Sequence, residues 1–318
     1  MGEQHIHDCV IIGAGPAGIT AAIQAKRLGL DIALIERDKP GGHALAIHAV
    51  ESYPGCPFGV TGAQLMSRFF EHLKKLKVCV TFGTAREITH DDDLYVTRTS
   101  TGTFRSRTLI VATGRTPQRL NVKGAGNVKN GNLFFYASPD HVDHKDKHVL
   151  ILGNDDAAFD QALGFSQKAS SVTIAMKNAA PRCQFLLTRR AERRNIKLMR
   201  IVTPTAMEKD GDALRVSLKR IGAGPLAKSM DVTADVVVAC TARRADTKLL
   251  KPLMKQGRRF PVKPGAVAKW PGLYLVGDIC RTGDRQLDAA TQDGMRAAMD
   301  AYAHLISQST HDQPFTAK

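Results

Sequence analysis

Asp8-Cys9-Val10-Ile11-Ile12-Gly13-Ala14-Gly15-Pro16-Ala17-Gly18 joins a short apolar strand to a G-x-G-x-x-G turn. Ile19 to Leu28 then reads as a helix with alanines on its packing face, and Gly29 breaks it. Asp31 to Ile35 is a second strand, ending at Glu36. The three glycines have separate tasks. The first permits the tight turn, the second lets backbone N–H groups approach a pyrophosphate, and the third lets the helix lie close to the strand. The helix N-terminus adds the positive end of its dipole. An acid at the end of the second strand can accept hydrogen bonds from a ribose diol. Strand, turn, helix, strand and acid in this order predict a dinucleotide-binding βαβ unit, and so an α/β fold.

A second βαβ unit begins at Lys147–Gly153, continues through a helix over about 156–167, and returns in the strand Val172–Met176. Its turn reads Gly153-Asn154-Asp155-Asp156-Ala157-Ala158, placing two carboxylates where a pyrophosphate would lie. Strands over Asp235–Thr241 and Leu273–Val276 add to the sheets, Gly277-Asp278 ends the latter, and a helix over about 289–306 closes the chain. The Gly- and Pro-rich stretches 123–131 and 255–264 are the expected crossings between two domains.

Composition limits what such a chain can be. Its 318 residues, 43% hydrophobic and 24% charged, suit a globular protein and exclude disordered or collagen-like classes. No apolar run approaches the roughly 20 residues of a membrane span, and Met1–His5 does not begin a secretory signal. Six cysteines are too few for a disulfide scaffold, so the expected setting is cytoplasmic with reduced thiols. The net charge is +15, and residues 119–244 hold an excess of nine basic over acidic residues, including the run Arg189–Arg194. A basic surface speeds encounters with anionic partners. No recognition fold or interleaved aromatic pattern points to nucleic acid.

From about residue 8 to residue 304 the chain resembles the low-molecular-weight thioredoxin reductase family of two-domain flavoproteins. The likeness rests on Gly13–Gly18 with Glu36, Gly41-Gly42, Glu51-Ser52-Tyr53-Pro54-Gly55 against the family's E-N-x-P-G, Thr61-Gly62, Ala112-Thr113-Gly114, and Gly277-Asp278 with Arg285-Gln286 and Ala289-Ala290. It implies two Rossmann-like three-layer domains. One is a discontinuous FAD domain over 1–118 and 245–318, and the other an inserted NAD(P)-type domain over 119–244. The implied FAD contacts are Gly13, Gly15, Pro16, Ala17, Gly18, Glu36, Arg37, Gly41, Gly42, Ala112, Thr113, Gly114, Gly277, Asp278, Arg285, Gln286, Leu287 and Ala290. His43 and His48 fall in the stretch that faces the flavin in the family, as candidate proton relays. The implied nicotinamide-side residues are Gly153, Asn154, Asp155, Lys177 and Arg182. A homodimer is expected from the resemblance alone.

The departures from that family carry the functional expectation. Its redox motif C-A-T-C-D falls on Tyr136-Ala137-Ser138-Pro139-Asp140, and no C-x-x-C occurs in the chain. Disulfide exchange needs an attacking thiolate, which neither Tyr nor Pro supplies. Tyr136 and Asp140 are therefore catalytic candidates by position only. The family's H-R-R, which clamps the 2′-phosphate of NADPH, falls on Met176-Lys177-Asn178. A lone lysine lacks the bidentate fork of arginine. Weak NADPH binding, NADH use and loss of the nicotinamide site all stay open.

Cys56 and Cys280 fall near the flavin by resemblance and are candidate single thiols. His141, His144 and His148 lie in a polar turn without a cysteine, so no metal centre is expected. The leading expectation is an FAD-dependent enzyme taking electrons from NADPH or NADH. Its acceptor would be an acidic protein, such as an iron–sulfur protein, a flavodoxin or a lipoyl carrier, and not a disulfide. The alternatives are a non-catalytic FAD-binding regulatory protein and a flavoenzyme reduced by another donor.

Overall fold

The computed structural model describes residues 5–128, 131–222, 224, 228–245, 247–253, 265–267, 270–281 and 286–312. The chain divides into two compact units, Met1–Leu45 with Ala63–Thr116 and Arg244–Lys318, and Ala46–Gly62 with Pro117–Arg243.

The first unit is built on a sheet with strand order Gly265–Val267, Trp270–Leu275, Thr103–Val111, Ile6–Ile12, Ile32–Glu36, Val80–Phe82. Its centre is parallel, with Cys9–Ile12 beside Ile32–Ile35 on one side and Thr108–Val111 on the other. Val10, Ile11, Leu34, Leu109, Ile110 and Val111 are all buried. Such continuous apolar runs are expected where helices and loops cover both faces of a parallel sheet. The antiparallel hairpin Ala85–Asp91 and Leu94–Thr99 joins through the latter strand to Thr103–Val111.

Helices Pro16–Arg27 and Leu287–Asp312 cross in close contact. A Cβ on Gly294 would lie 2.0 Å from the Ala17 carbonyl oxygen, so only glycine admits this approach. The first helix begins at Pro16 instead of Ile19 because Gly15 is its N-cap and proline suits the first helical position.

The second unit contains a wholly parallel five-stranded sheet, ordered Lys197–Met199, Ser171–Ala175, His148–Leu152, Val236–Ala239, Leu133–Phe134. Helices Asp156–Phe165 and Phe185–Arg193 belong to this unit, with Phe159, Phe165, Ile151, Ile174 and Val238 in the core. An antiparallel sheet of Val202–Asp210, Ala213–Arg220 and Met230–Ala234 completes it.

The crossings between units fall at Leu45/Ala46, Gly62/Ala63, Thr116/Pro117 and Arg243/Arg244, not in the glycine-rich stretch 123–131. There Lys123 bridges Ala206, and a Cβ on Gly124 would come 2.0 Å from the Met207 carbonyl oxygen. Those residues serve close backbone approach inside the second unit. The other expected crossing, 255–264, lies outside the described residues. Ala46–Gly62 groups with the second unit, because the His48 and Ala49 N–H groups donate to the Asp160 carboxylate at 2.7 and 2.9 Å. Among the described residues no helix is long and apolar enough to cross a membrane.

Candidate functional site

The G-x-G-x-x-G turn of the first unit sits at the carboxyl end of the first strand. A Cβ on Gly18 would lie 1.7 Å from the Gly13 carbonyl oxygen, and Gly13 has φ +102° with its hydrogen facing the Ala112 carbonyl. These two glycines fix the turn. Gly15 differs: a Cβ there meets nothing within 4 Å, and it caps the helix without a side-chain hydrogen bond. The first N–H groups of Pro16–Arg27 therefore face an open space suited to an anion.

Glu36 is buried and accepts from the Ala14 N–H through Oε2 at 2.7 Å and from the Asp38 N–H through Oε1 at 3.0 Å. Each oxygen keeps a second lone pair for a further donor. Arg37 beside it is exposed. The Gly41 N–H donates to the Ala14 carbonyl at 2.7 Å, and Gly42 approaches Gly15. Ala112 is buried beside the turn, the buried hydroxyl of Thr113 has no hydrogen-bond partner, and Gly114 faces open space. The Gly277 N–H donates to Asp293 at 3.1 Å, and the Asp278 carbonyl accepts from Arg115 Nε at 3.0 Å. Gln286 receives the N–H of the buried Ala290 at the start of the last helix, next to Leu287. Arg285 lies outside the described residues.

His43 Nε2 is 2.6 Å from the Arg115 carbonyl in the first unit. His48 belongs to the second unit, where its Nε2 is 3.2 Å from the Gln167 amide. An open glycine, an uncapped helix, an orphaned hydroxyl and a buried carboxylate together fit a dinucleotide such as FAD.

The corresponding turn of the second unit is occupied by its own side chains. Asp155 caps the helix Asp156–Phe165 by accepting from the Ala158 N–H at 3.2 Å. Asp156 accepts from the Gln184 N–H at 2.7 Å. The Arg182 N–H donates to the Asn154 carbonyl at 2.9 Å, and the Asn154 amide donates to Asn178 Oδ1 at 2.9 Å. A Cβ on Gly153 would come 2.7 Å from the Ala158 methyl, so this glycine serves packing. Lys177 and Arg182 are exposed. A carboxylate already holds the positive helix end, so the turn fits a pyrophosphate poorly.

The family model of the pyridine nucleotide-disulphide oxidoreductases matches residues 7–298. The chain belongs to this family. It is 28% identical to the thioredoxin reductase of Bacillus subtilis over 94% of each chain. The crystal structure of T. acidophilum thioredoxin reductase superposes with a TM-score of 0.87 at 25% identity, covering 95% of this chain and 100% of that one. Lactococcus lactis thioredoxin reductase gives a TM-score of 0.85 at 25% identity, covering 95% and 99%. This pyridine nucleotide-disulphide oxidoreductase is thus of thioredoxin reductase type, and that family uses FAD and NADPH.

Within this oxidoreductase Tyr136 and Ala137 pack against the core of the second unit. The Tyr136 hydroxyl donates to the Thr241 carbonyl, and the Arg243 guanidinium stacks 4.9 Å from the Tyr136 ring centre. Pro139 is buried and Asp140 exposed. None of the six cysteines is joined in a disulfide. Burial pushes the Cys9 and Cys280 thiols up to about 12, with Asp293 adding to the effect at Cys280. Burial raises Cys240 and Cys183 as well. Cys56 is buried in the second unit, and Cys79 is exposed. His141 is exposed, His144 is buried with its ring edge-on to Phe165, and His148 contacts Ser171 Oγ, so the three do not converge.

Two clusters escaped the sequence reading. Asp160 is buried under the backbone of residues 48 and 49, and burial raises its pKa against the pull of the two N–H groups it accepts. His5, His7 and Asp31 meet at the amino-terminal end of the first sheet. Only the H-x-H spacing hinted at the second cluster.

Proposed function

We propose that this oxidoreductase passes electrons from NADPH or NADH through FAD to an acidic redox protein, without a thiol pair of its own. The observation that carries the reading is the stretch 136–140, where Tyr136 and Pro139 stand at the positions that the resemblance aligns with a redox dithiol. Neither side chain can attack a disulfide. The raised Cys9 and Cys280 thiols are poor substitutes, since the thiolate is the reactive species.

Bound FAD would supply hydride acceptance and return electrons singly or in pairs. The chain's own part is to hold and insulate it. The N–H groups after Gly15 take the pyrophosphate, Glu36 a ribose hydroxyl, and the orphaned Thr113 hydroxyl a neighbouring polar group. The resemblance would put Asp278 against the ribityl–phosphate part of FAD. Tyr136 and Asp140 are acceptor-side candidates through the resemblance alone, and Lys177 and Arg182 are exposed cations of the second unit that a nucleotide could use.

The helix Phe185–Arg193 supports an acidic acceptor. Arg189 and Arg193, with Arg194 just beyond, are exposed beside exposed Phe185 and Leu186. Charge complementarity of this kind steers encounter, and an apolar centre adds hold. Iron–sulfur proteins and flavodoxins meet the requirement, whereas a lipoyl carrier, whose redox group is a disulfide, does not. Cysteines outside disulfides suit a reducing, cytoplasmic setting, and a homodimer is the oligomer the resemblance implies. The Asp155 cap favours one variant, in which another donor reduces the flavin.

Anaerobic mixing of the purified protein with each nucleotide, followed by acceptor addition, tests the reading. The expected result is a yellow protein whose flavin band bleaches with NADPH or NADH and recovers on adding an acidic one- or two-electron acceptor. Prior alkylation of thiols leaves that turnover unchanged. With FAD bound, bleaching by neither nucleotide overturns the nicotinamide half and supports the other donor. Alkylation-sensitive reduction of a thioredoxin disulfide overturns the thiol-free half.

A further inference from the structure

We propose that His5, His7 and Asp31 form a three-ligand site for a divalent late transition ion, with Zn2+ as its occupant. The first strand brings the two histidines together. His5 and His7 flank Ile6 at the strand start, and residues two apart on extended chain project to one face. The parallel neighbour supplies the third ligand. Cys9 pairs with Ile32, which places Asp31 level with Asp8.

Asp31 is held from both sides by its backbone. Its carbonyl accepts the Asp8 and Cys9 N–H groups at 3.0 and 3.2 Å. Its own N–H donates to Asp8 Oδ2 at 2.9 Å, while Arg107 anchors Asp8 Oδ1 at 3.1 Å. His5 Nε2 and His7 Nδ1 each lie 2.8 Å from the same oxygen, Asp31 Oδ2. The two rings stand at 82° with centres 4.5 Å apart, and all donor atoms lie within 4.8 Å of one another.

Two imidazoles and a carboxylate select zinc, copper or nickel over magnesium or calcium, which require all-oxygen shells. Tetrahedral zinc with bonds of about 2.0–2.2 Å needs donors separated by about 3.3 Å. The histidine-to-aspartate spacing is short of that by about 0.5 Å, within side-chain adjustment on an exposed rim. Zn2+ would bind the ring nitrogens that face Asp31, each imidazole keeping its one proton on its other nitrogen and releasing any second proton to solvent, and water takes the fourth position through the exposed His5 face. The cluster sits at the amino-terminal end of the strand Ile6–Ile12, opposite the turn at Gly13. The ion would clip the first strand to the second.

Titration calorimetry of the flavin-loaded protein with Zn2+ tests this, in a Cys79→Ser background that removes the exposed thiol. One equivalent binds with a dissociation constant on the order of micromolar, weaker than closed four-ligand sites. His5→Ala and His7→Ala each weaken it by at least about tenfold, Asp31→Asn does likewise, and the exposed-residue control His72→Ala does not. Cu2+ loaded at the same site shows two nitrogen ligands by electron paramagnetic resonance, and both are lost in the double histidine variant. Circular dichroism identifies any variant that fails to fold. Unchanged stoichiometry and affinity in a folded His5→Ala/His7→Ala variant overturns the proposal, as does no saturable uptake below about 100 µM Zn2+.

Discussion

Gly15 and Gly18 are three residues apart, yet their hydrogens answer to different partners. Gly18 faces the Gly13 carbonyl at a distance no methyl can share, whereas Gly15 faces open space. Gly18→Ala should therefore push the helix off the strand and lower the melting temperature of the flavin-free protein. Gly15→Ala, with φ −79° and ψ −174°, should leave that temperature within the shift of about 0.5 kcal/mol typical of surface changes. It should still bind FAD at least about tenfold more weakly, because the methyl occupies the phosphate approach. Melting curves and flavin titration of the two variants separate fold from cofactor; equal behaviour would refute the division. The thiols give a second residue-scale test. Exposed Cys79 should react with a maleimide within minutes at neutral pH, while Cys9 and Cys280, buried and pushed up to about 12, stay unlabelled until unfolding. Mass spectrometry of the native protein reads this directly, and native labelling of Cys280 would reopen a single-thiol route.

The helix Asp156–Phe165 shows how one element can keep its geometry while changing what its end will bind. Asp155 supplies both a cap and a negative charge. Asp155→Ser keeps the cap and removes the charge, whereas Asp155→Ala removes both. The alanine variant should lose about 1 kcal/mol of stability and the serine variant little. Both should lower the KM for NADPH or NADH, which steady-state kinetics would detect; an unchanged KM would show that the nucleotide does not meet this helix end. The elements themselves were largely legible. The first strand, turn and second strand follow from local turn chemistry and from the apolar runs that a doubly covered sheet demands. The antiparallel sheet leaves a fainter mark, the alternation of Leu214, Val216 and Leu218 with Arg215, Ser217 and Lys219 that belongs to a half-buried strand. The grouping of Ala46–Gly62 with the second unit could not be read. It depends on backbone N–H groups meeting Asp160 more than a hundred residues away, which leaves no mark in side-chain pattern. The meeting of His5 and His7 with Asp31 likewise depends on strand register, which local sequence does not specify.

At the scale of the whole chain, the +15 charge lies unevenly, and residues 119–244 hold most of the excess. Their own turn acids, Asp155 and Asp156, are engaged by backbone N–H groups, and Arg189, Arg193 and Arg194 are exposed to an outside anion. Arg190 pairs with Glu51 at 2.6 Å and is better left intact in any test. The exposed Arg189, Arg193 and Arg194 should act by steering, a long-range effect that falls once the Debye length nears about 10 Å at 0.1 M salt. Turnover with an acidic iron–sulfur or flavodoxin acceptor should accordingly slow as salt rises from about 0.02 to 0.2 M. An Arg189→Ala/Arg193→Ala/Arg194→Ala variant should raise the KM for that acceptor, flatten its salt dependence and leave kcat unchanged, since only encounter is affected. Its rate with a small uncharged quinone should match that of the unmodified protein. If the variant and the unmodified protein keep the same salt slope with the acidic acceptor, the arginine helix is not where that acceptor docks, and the excess charge belongs to solubility alone.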